Sequence, residues 1–308
     1  MTHDPSSVVA GLVARFRRQR PLRAGSLIVT IFGDSILPRG GAIALGSLIG
    51  LAAQFGLNER LVRTASARLA QEGWLESRRL GKLSEYRLTA DGRVQFLDAT
   101  QRIYGEPGGA WSGRWTLIVV PVLRGSGRKE VRKELMWAGY GEVSPGVFAH
   151  PELMPPPLQP QLRLSRLLSS AFLFEARLAA EDASQRLVAL GWDLKELGLR
   201  YSRFVQRFEA VRASLRGRHA MDPQRCFIVR TLLIHEYRRL HLRDPLLPSR
   251  LLPDQWPGTK AAALCRDIYA RIFVASEIHL SSTAATIGGP LPSVDASVMQ
   301  RFGGIALP

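Results

Sequence analysis

Cysteine is scarce in this 308-residue chain, which contains only Cys226 and Cys265. Two cysteines cannot build a disulfide framework, and neither lies at a metal-binding spacing from other ligands. Apolar runs long enough to cross a membrane are missing, and the arginines near the N-terminus are not followed by the apolar core of a signal peptide. These absences predict a cytoplasmic protein that does not contact a membrane.

The sequence motifs of common enzyme classes are also missing. The chain has no phosphate-binding P-loop, no dinucleotide-binding glycine fingerprint and no nucleophile elbow. Residues 235–241 superficially resemble a zinc-protease helix, but His235 and His241 are six positions apart instead of four and would face different directions. The sequence therefore predicts no enzyme activity, no metal site and no cofactor.

Acidic residues are few relative to basic ones. The chain has 26 Asp and Glu against 42 Lys and Arg, with a formal net charge of +16 and an isoelectric point near 11.0. Such a basic chain favours an anionic partner, usually nucleic acid. Residues 1–93 carry +7 of this charge and the remaining residues carry +9. The downstream surplus fits a second anionic contact, such as a phosphate-bearing ligand, or simply a solvated arginine-rich surface.

A helix-turn-helix is predicted near the N-terminus. Residues 24–36 are apolar and predict a first helix, which a Pro/Gly-rich breaker ends. A second helix is predicted from the i, i+3, i+4, i+7 spacing of Leu45, Leu48, Ile49 and Ala52, which form one apolar face. Residues 56–58 then break the chain with a glycine, and Asn58 is placed to cap the next helix.

The third helix, predicted for residues 59–73, has two distinct faces. Its apolar face is formed by Leu61, Val62, Ala65 and Leu69. Its opposite face is formed by Arg60, Arg63, Thr64, Ala67 and Gln71. Arginine can make bidentate hydrogen bonds to guanine in the major groove, and threonine or glutamine can read other base edges. We therefore predict that this outer face, together with Asn58, binds DNA.

A basic β-hairpin is predicted directly after this helix. Residues 74–79 and 84–89 are strand-like runs around a glycine turn. The cations at its tip are Arg78, Arg79 and Lys82, which suit phosphate or minor-groove contact. Two helices followed by a basic hairpin predict a winged helix-turn-helix, although some winged helices bind protein instead.

A ferredoxin-like domain is predicted next. Residues 115–122 form an apolar run typical of a buried strand, and residues 125–137 predict a basic helix. Two strands flank a turn at residues 144–146. A helix near residues 158–169 and a strand near residues 171–176 complete a β-α-β-β-α-β order.

The chain is predicted to be helical from about residue 183 onward. Residues 223–241 predict a helix that is apolar on nearly every side and therefore buried. Arg230 and His235 of this helix then need partners, because buried charge is costly unless it is paired. Arg230, Tyr237 and His241 fall within about 40° of one another around the helix.

The segment HEYRRLHLRDPLLPSRLLPDQWPG, with the winged-helix segment and the middle module before it, resembles the PaaX-type repressors of phenylacetate catabolism. The resemblance covers about residues 24–280. It implies a repressor of an aromatic-acid degradation operon that phenylacetyl-CoA releases from DNA. It also implies that the middle domain is similar to a CRISPR-associated ferredoxin-like nuclease. The metal-binding acidic residue of those nucleases has no counterpart at residues 121–125, so we expect dimerisation instead.

The effector site is expected on the helix at residues 223–241. A CoA thioester is a polyanion with an apolar end, so its site needs arginine or lysine and an apolar pocket. The candidate effector-binding residues are Arg230, His235, Tyr237, Arg238, Arg239 and His241. The alternative is a structural role for these residues, and also for Asp244, which would pair with an arginine, and Trp256, which would pack on the last helix.

The sequence thus predicts an α+β multidomain protein. Its parts are a basic N-terminal arm (1–23), a winged helix-turn-helix (24–104), a ferredoxin-like dimerisation domain (110–178), a helical effector-binding domain (179–280) and a flexible tail (281–308). The expected partners are a double-stranded DNA operator, a CoA thioester and a second copy of the chain. A basic module that binds RNA or protein and has no small-molecule effector is the alternative.

Overall fold

The computed structural model describes residues 4–105, 111–120, 126–151, 171–180, 182–215 and 221–305. The chain divides into two compact units. Within the described ranges, the first unit combines the residues up to 105 with residues 202–239 and 259–305, and the second unit combines residues 111–201 with residues 240–258. Both units contain helices, and both contain strands, which confirms the predicted mixed α+β class.

The N-terminal part of the first unit is mostly helical. Its helices are α1 (Pro5–Arg17), α2 (Ala24–Ile31), α3 (Leu45–Ala53), α4 (Glu59–Gln71) and α5 (Ala90–Tyr104). Helix α2 continues as a π-helical segment, Phe32–Ile36. A short 3-10 turn containing Pro38 follows, and Gly40 ends it with a φ of +92°. The first predicted helix is therefore α-helical only as far as Ile31.

Helix α1 lies within the segment that was predicted as a basic arm. Asp4 caps the helix by accepting two backbone N–H hydrogen bonds from the first turn, at 3.2 Å each. Val9, Leu12 and Phe16 are buried on one side of α1. Their i, i+3, i+7 spacing is the sequence signal for this helix, although the composition of the segment is basic.

A three-stranded antiparallel sheet accompanies these helices. Its strands are β1 (Ala42–Ala44), β2 (Leu75–Leu80) and β3 (Leu83–Leu88), in the order β1-β3-β2. Strands β2 and β3 form the predicted hairpin, with Leu80 opposite Leu83 across a two-residue turn. The three-residue strand β1 was not predicted, since so short a segment carries little pattern.

The second unit contains a four-stranded antiparallel sheet. Its strands are β4 (Arg114–Val119), β5 (Gly141–Ser144), β6 (Val147–His150) and β7 (Phe172–Arg177), in the order β5-β6-β4-β7, and helix α6 (Ser126–Trp137) follows β4. Apolar clusters on the sheet centre on Trp115 and on Ile118. The helix predicted near residues 158–169 and the loop at residues 121–125 lie outside the described residues.

The described residues after β7 begin with a helical region. Its helices are α7 (Ala183–Gly191), α8 (Leu194–Ser214), α9 (Pro223–His241) and α10 (Pro257–Thr283). Every residue of α9 from Cys226 to His235 is buried, which confirms the expectation of a buried helix. In the part of the chain that the structure describes, no helix is both long and apolar enough to cross a bilayer.

The unit boundaries differ from the predicted domain boundaries because of α9. A helix that is apolar on nearly every side needs neighbours on every side, and N-terminal residues supply some of them. The ring of Phe227 lies 5.9 Å from the ring of Phe55, and the ring of His235 lies 5.6 Å from that of Phe16. Most of the predicted effector-binding helix therefore folds in one unit with the predicted DNA-binding domain.

The segment after α10, predicted as a flexible tail, contains regular elements within its described residues, 284–305. Ala285–Thr286 pairs with Gly289–Pro290, and a 3-10 segment follows at Ala296–Gly303. Phe302 is buried, with its ring 5.2 Å from that of Tyr104. The glycine and proline of this segment therefore reflect tight turns on a packed surface, which composition alone does not distinguish from disorder.

Candidate nucleic-acid interface and effector region

The turn between α3 and α4 positions the predicted reading helix. Gly56 has a φ of +78°, a conformation that residues with a Cβ rarely adopt. Asn58 then caps α4, since its side-chain oxygen accepts the backbone N–H of Leu61 at 2.9 Å. The predicted cap is therefore confirmed, and Asn58 itself stays exposed at the start of the helix.

The outward face of α4 carries the predicted DNA-binding side chains. Val62, Ser66 and Leu69 are buried and define the inner face. The exposed residues on the other side include Arg60, Arg63, Thr64, Ala67 and Gln71. At about 100° per residue, Arg63 lies at one edge of this outward face, and the other four lie near its centre.

Two features of α4 differ from the prediction. Leu61, expected on the apolar face, is 37% exposed, and Ser66 is buried there instead. Arg68 was not predicted as a DNA contact, although it is exposed at the edge of the outward face opposite Arg63. Its i+4 spacing from Thr64 was the sequence signal that could have identified it. Arg63 and Arg68 each pair with a glutamate four residues away, at 2.7 Å. Exposed pairs of this kind contribute about 0.3–0.5 kcal/mol, so a phosphate or base can displace the glutamate.

The β2–β3 hairpin carries the predicted wing cations. Arg78, Arg79 and Lys82 are exposed, and the Nε of Arg79 donates to the backbone carbonyl of residue 81 at 3.2 Å. Leu75 is the one buried residue of β2. Glu85, opposite Arg78 in the register, is buried and accepts a backbone N–H from residue 287. The tip of the hairpin therefore presents positive charge to solvent.

Arg230, a predicted effector ligand, lies in a buried ionic cluster of the first unit. Its Nε donates to the carboxylate of Asp34 at 2.7 Å, and its Nη2 donates to the Asp34 backbone carbonyl at 3.1 Å. Its Nη1 donates to the hydroxyl of Ser276 at 3.0 Å and also pairs with Glu277. Because these partners engage all three guanidinium nitrogens, the geometry favours the structural alternative for Arg230.

Asp34 is the centre of this cluster, and the sequence did not single it out. Besides Arg230, it binds Arg301 at 2.8 Å and accepts hydrogen bonds from Tyr104 at 2.7 Å and Tyr269 at 2.9 Å. Burial alone would raise the pKa of Asp34, but the two guanidinium groups and the two hydroxyls hold it below its ordinary value. No local pattern could reveal this residue, because its partners come from four separate segments.

The partners of Arg238 within the described residues are neutral. Its Nε donates to Thr30 Oγ1 at 2.8 Å, and its Nη2 donates to the backbone carbonyl and the hydroxyl of Ser26 at 2.6 and 2.8 Å. Within the described ranges, no Asp or Glu lies at ion-pair distance from it. Burial and the neighbouring Arg239 lower the pKa of Arg238 to about 10, so it remains cationic at neutral pH. A half-buried cation whose described acceptors are all neutral is a group that an anion would satisfy well.

His235 and Tyr237 occupy different surroundings on α9. The Nδ1 of His235 lies 3.0 Å from Thr30 Oγ1. Burial and three neighbouring arginines keep the pKa of His235 well below its ordinary range, so the ring is neutral. Tyr237 is buried, with its ring centroid 5.8 Å from that of Phe204 and 6.3 Å from that of Phe302. Neither residue presents a charge to a phosphate.

The remaining predicted effector residues lie farther along the chain. Arg239 is half-buried in the first unit, and His241 is half-buried in the second. Tyr201 Oη lies 3.4 Å from the Nδ1 of His241 and donates to Asp244 at 2.8 Å. The expected arginine partner of Asp244 is wrong, because a tyrosine and a backbone N–H bind it instead. Trp256 packs edge-on against Tyr201 of α8, with ring centroids 6.0 Å apart.

Comparison with known proteins matches most of the chain. The models described as PaaX-like protein, PaaX protein central Cas2-like domain and PaaX-like protein C-terminal domain match residues 23–92, 108–188 and 192–282. Over 289 residues the chain is 38% identical to the transcriptional repressor PaaX of Escherichia coli (strain K12), with 92% of each protein covered. The chain belongs to the PaaX family.

Membership of the PaaX family confirms the resemblance drawn from residues 24–280, and it identifies the central domain as Cas2-like. A similar solved structure is that of the uncharacterised protein Rv0674 from Mycobacterium tuberculosis. It has a TM-score of 0.50 and 24% identity, and the match covers 75% of this PaaX-family chain and 90% of that chain. This likeness concerns the fold alone.

Proposed function

We propose that this PaaX-family chain is a transcriptional repressor that reads duplex DNA through a winged helix-turn-helix made of α3, α4 and the β2–β3 hairpin. The observation that carries the proposal is the outward face of α4, which is exposed and bordered by Arg63 and Arg68. The adjoining hairpin adds three cations at its tip. The Escherichia coli relative is named a transcriptional repressor. A phenylacetate-type catabolic operon as the target follows from the family resemblance.

The residue types on α4 match the chemistry of the major groove. Arg60 can bind guanine through two parallel hydrogen bonds, and Gln71 can bind adenine in the same manner. Thr64 can accept or donate one hydrogen bond, and the small Ala67 permits close approach. Cations of the hairpin would contact phosphates, which position the protein without reading sequence.

The proposal is tested by selecting duplexes from a random-sequence pool with the full chain. Arg60→Ala should weaken binding of the selected duplex by about 1–3 kcal/mol and relax its base preference, with little effect on a scrambled duplex. Arg250→Ala, at an exposed arginine of the second unit, is the matched control. Failure to enrich any duplex, or equal binding of an RNA hairpin, would favour the alternative of an RNA- or protein-binding module.

We also propose that the chain acts as a homodimer through its central domain, in which the β5-β6-β4-β7 order supports a ferredoxin-like sheet. Within the described sheet β7 is an edge strand, and it exposes Phe172, Leu173 and Phe174. An apolar edge strand is a template for pairing with another chain. Sedimentation should detect a dimer that Phe174→Lys dissociates, and operator half-sites should lie about one helical turn, or a multiple of it, apart. A monomeric footprint would contradict this.

We further propose that an acyl-CoA thioester such as phenylacetyl-CoA releases the repressor, and that Arg238 receives an anionic group of the effector. Arg238 is a half-buried cation whose described partners are neutral, whereas Arg230 is already paired. Its partners Ser26 and Thr30 belong to α2, and α2 packs against α4. An anion that drew Arg238 away would loosen α2 beneath the reading helix. The effector would then bind the DNA-free conformation more tightly than the DNA-bound one, which is the difference in affinity that release requires.

Calorimetry of the full chain with phenylacetyl-CoA, with and without the selected duplex, tests this proposal. Each ligand should weaken the other by the same factor, about 5- to 150-fold. Arg238→Met should abolish that coupling, while Arg225→Met, at the start of the same helix, should keep it. Full coupling in Arg238→Met would refute the site, and a wild-type chain that binds no CoA thioester would refute the effector. Equal potency of free phenylacetate would contradict the need for a phosphate-bearing ligand.

A further inference from the structure

Two exposed leucines occupy the tip of the β2–β3 hairpin. Leu80 and Leu83 are the last paired residues on either side of the turn, and their exposed fractions are 57% and 56%. The buried leucines of the hairpin, Leu75 and Leu88, lie at its base, about 16–17 Å away, the rise of five residues along a strand. The core of the first unit therefore accounts for the base of the hairpin but not for its tip.

The charges around these leucines restrict the kind of partner. Arg78, Arg79 and Lys82 surround the tip and are exposed. The carboxylate opposite Arg78, that of Glu85, is buried and lies nearest to a different arginine. An apolar protein surface or a lipid interior would desolvate three cations without supplying counter-charges. Duplex DNA supplies both phosphates for the cations and an apolar base stack for the leucines.

Leucine has no donor or acceptor with which to read a base edge, so its contribution to a DNA contact is packing. Proteins that enter the minor groove insert leucine and similar side chains between base steps, and this unstacks the bases and bends the duplex by about 20–90°. The turn is the narrowest part of a hairpin, and the two leucines lie beside it.

We infer that Leu80 and Leu83 insert as a wedge at one base step in the minor groove and bend the operator, an inference that rests on the proposed DNA-binding function. Helix α4 would meanwhile occupy the adjacent major groove. Pyrimidine–purine steps such as TA and CA/TG unstack most easily. The wedge therefore adds sequence preference at a position that no hydrogen bond reads.

The bend is measured by energy transfer between dyes at the two ends of the selected duplex, with the full chain bound. The wild-type chain should bend the duplex by about 20–90°. The double variant Leu80→Ser, Leu83→Ser should lose at least about half of this bend while keeping the salt dependence of affinity, since its cations are unchanged. Lys82→Ala should keep the bend and reduce the salt slope by about one. Leu190→Ser, at a leucine of the second unit that is 69% exposed, should change neither quantity.

A second measurement keeps the inference independent of the double variant. Replacing the flexible step under the wedge by a stiff A-tract step should lower wild-type affinity by about tenfold, within the range of one unfavourable base pair. The same replacement should affect Leu80→Ala much less. 2-Aminopurine fluorescence at this step should report unstacking with the wild-type chain and less unstacking with Leu80→Ala.

The outcomes separate the two proposals. A straight wild-type complex, or full bending by the double variant, overturns the wedge and leaves DNA binding intact. A wild-type chain that binds no duplex overturns the proposed function itself. If the double variant bends DNA fully but sediments as a smaller species, the leucines contact a second copy of the chain and the wedge is again overturned.

Discussion

Asp34→Asn should destabilise the first unit more than Arg230→Met does, although both changes break the same ion pair. The buried cluster contains the carboxylates of Asp34 and Glu277 and the guanidinium groups of Arg39, Arg230 and Arg301. After Asp34→Asn, a single carboxylate remains for three cations, and Arg301 keeps none of the ion pairs described for it. After Arg230→Met, Asp34 keeps Arg301 and Glu277 keeps Arg39, so that each carboxylate retains one cation.

This difference in charge balance sets how much unfolding free energy each variant loses. Removing one partner of a buried ion pair costs about 3–5 kcal/mol when it leaves a buried charge uncompensated. Asp34→Asn leaves Arg301 in that condition, so we expect a loss at the upper end of this range. Arg230→Met leaves no such charge and mainly removes hydrogen bonds, for which about 1–3 kcal/mol is expected. Arg230→Met also removes the desolvation cost of burying the guanidinium, which reduces this loss further.

Urea unfolding of protein labelled with 5-fluorotryptophan provides the assay. Trp74 is the tryptophan of the first unit, so its fluorine resonance follows that unit separately from the second. Asp34 has a lowered pKa, so its contribution is present above the ordinary carboxyl range and is lost as the pH falls through the lowered value. The difference between the wild-type chain and Asp34→Asn should therefore shrink in acid. An equal or larger loss in Arg230→Met at pH 7 would refute this account of the cluster.

Arg79→Ala should weaken binding of selected and scrambled duplexes alike and lower the salt slope by about one, as fluorescence anisotropy would show; a loss confined to the selected duplex would assign base reading to the hairpin. His235→Gln should remove a pH dependence of stability. Burial keeps the pKa of His235 low in the folded chain, so below about pH 6.5 the unfolded chain binds a proton at this residue before the folded chain does. The wild-type chain therefore loses stability in that range. Thermal unfolding at pH 7.5 and pH 5.5 tests this, and equal pH sensitivity of the variant would contradict it. Phe302→Ala should cost about 3–5 kcal/mol, since its buried ring packs on Tyr104 and Tyr269; Val274→Ala, at an exposed position of α10, is the control, and similar losses in the two would mean that the C-terminal segment is not structural.

Local periodicity was sufficient to predict α4, its cap and the hairpin. Val62 and Leu69 repeat at helical spacing, and Asn58 follows a glycine turn. The same reasoning failed for Leu61 and Ser66, because a helix that meets neighbours on a narrow face buries a small hydroxyl more easily than a large side chain at the edge. Periodicity describes the average direction of a face and does not give its width.

Long-range partners were beyond the reach of sequence patterns. The all-round apolar character of α9 predicted that Arg230 is buried, but its partner Asp34 lies 196 positions earlier in the chain. A single aspartate in an apolar helix gives no sign of which cation it meets. Composition was similarly misleading after residue 281, where glycine and proline indicate flexibility unless the surface on which the turns pack is known.

The hydrogen bonds of Arg238 are sufficient to carry the coupling that release by an effector would need. Arg238 makes three of them to Ser26 and Thr30 of α2, and hydrogen bonds from a charged donor contribute about 1.5–3 kcal/mol each. Typical couplings between two ligands are about 1–3 kcal/mol, so an anion that broke one of these bonds would match the requirement. Because Arg238, α2 and α4 belong to the same unit, such a change would reach α4 through direct packing of α2.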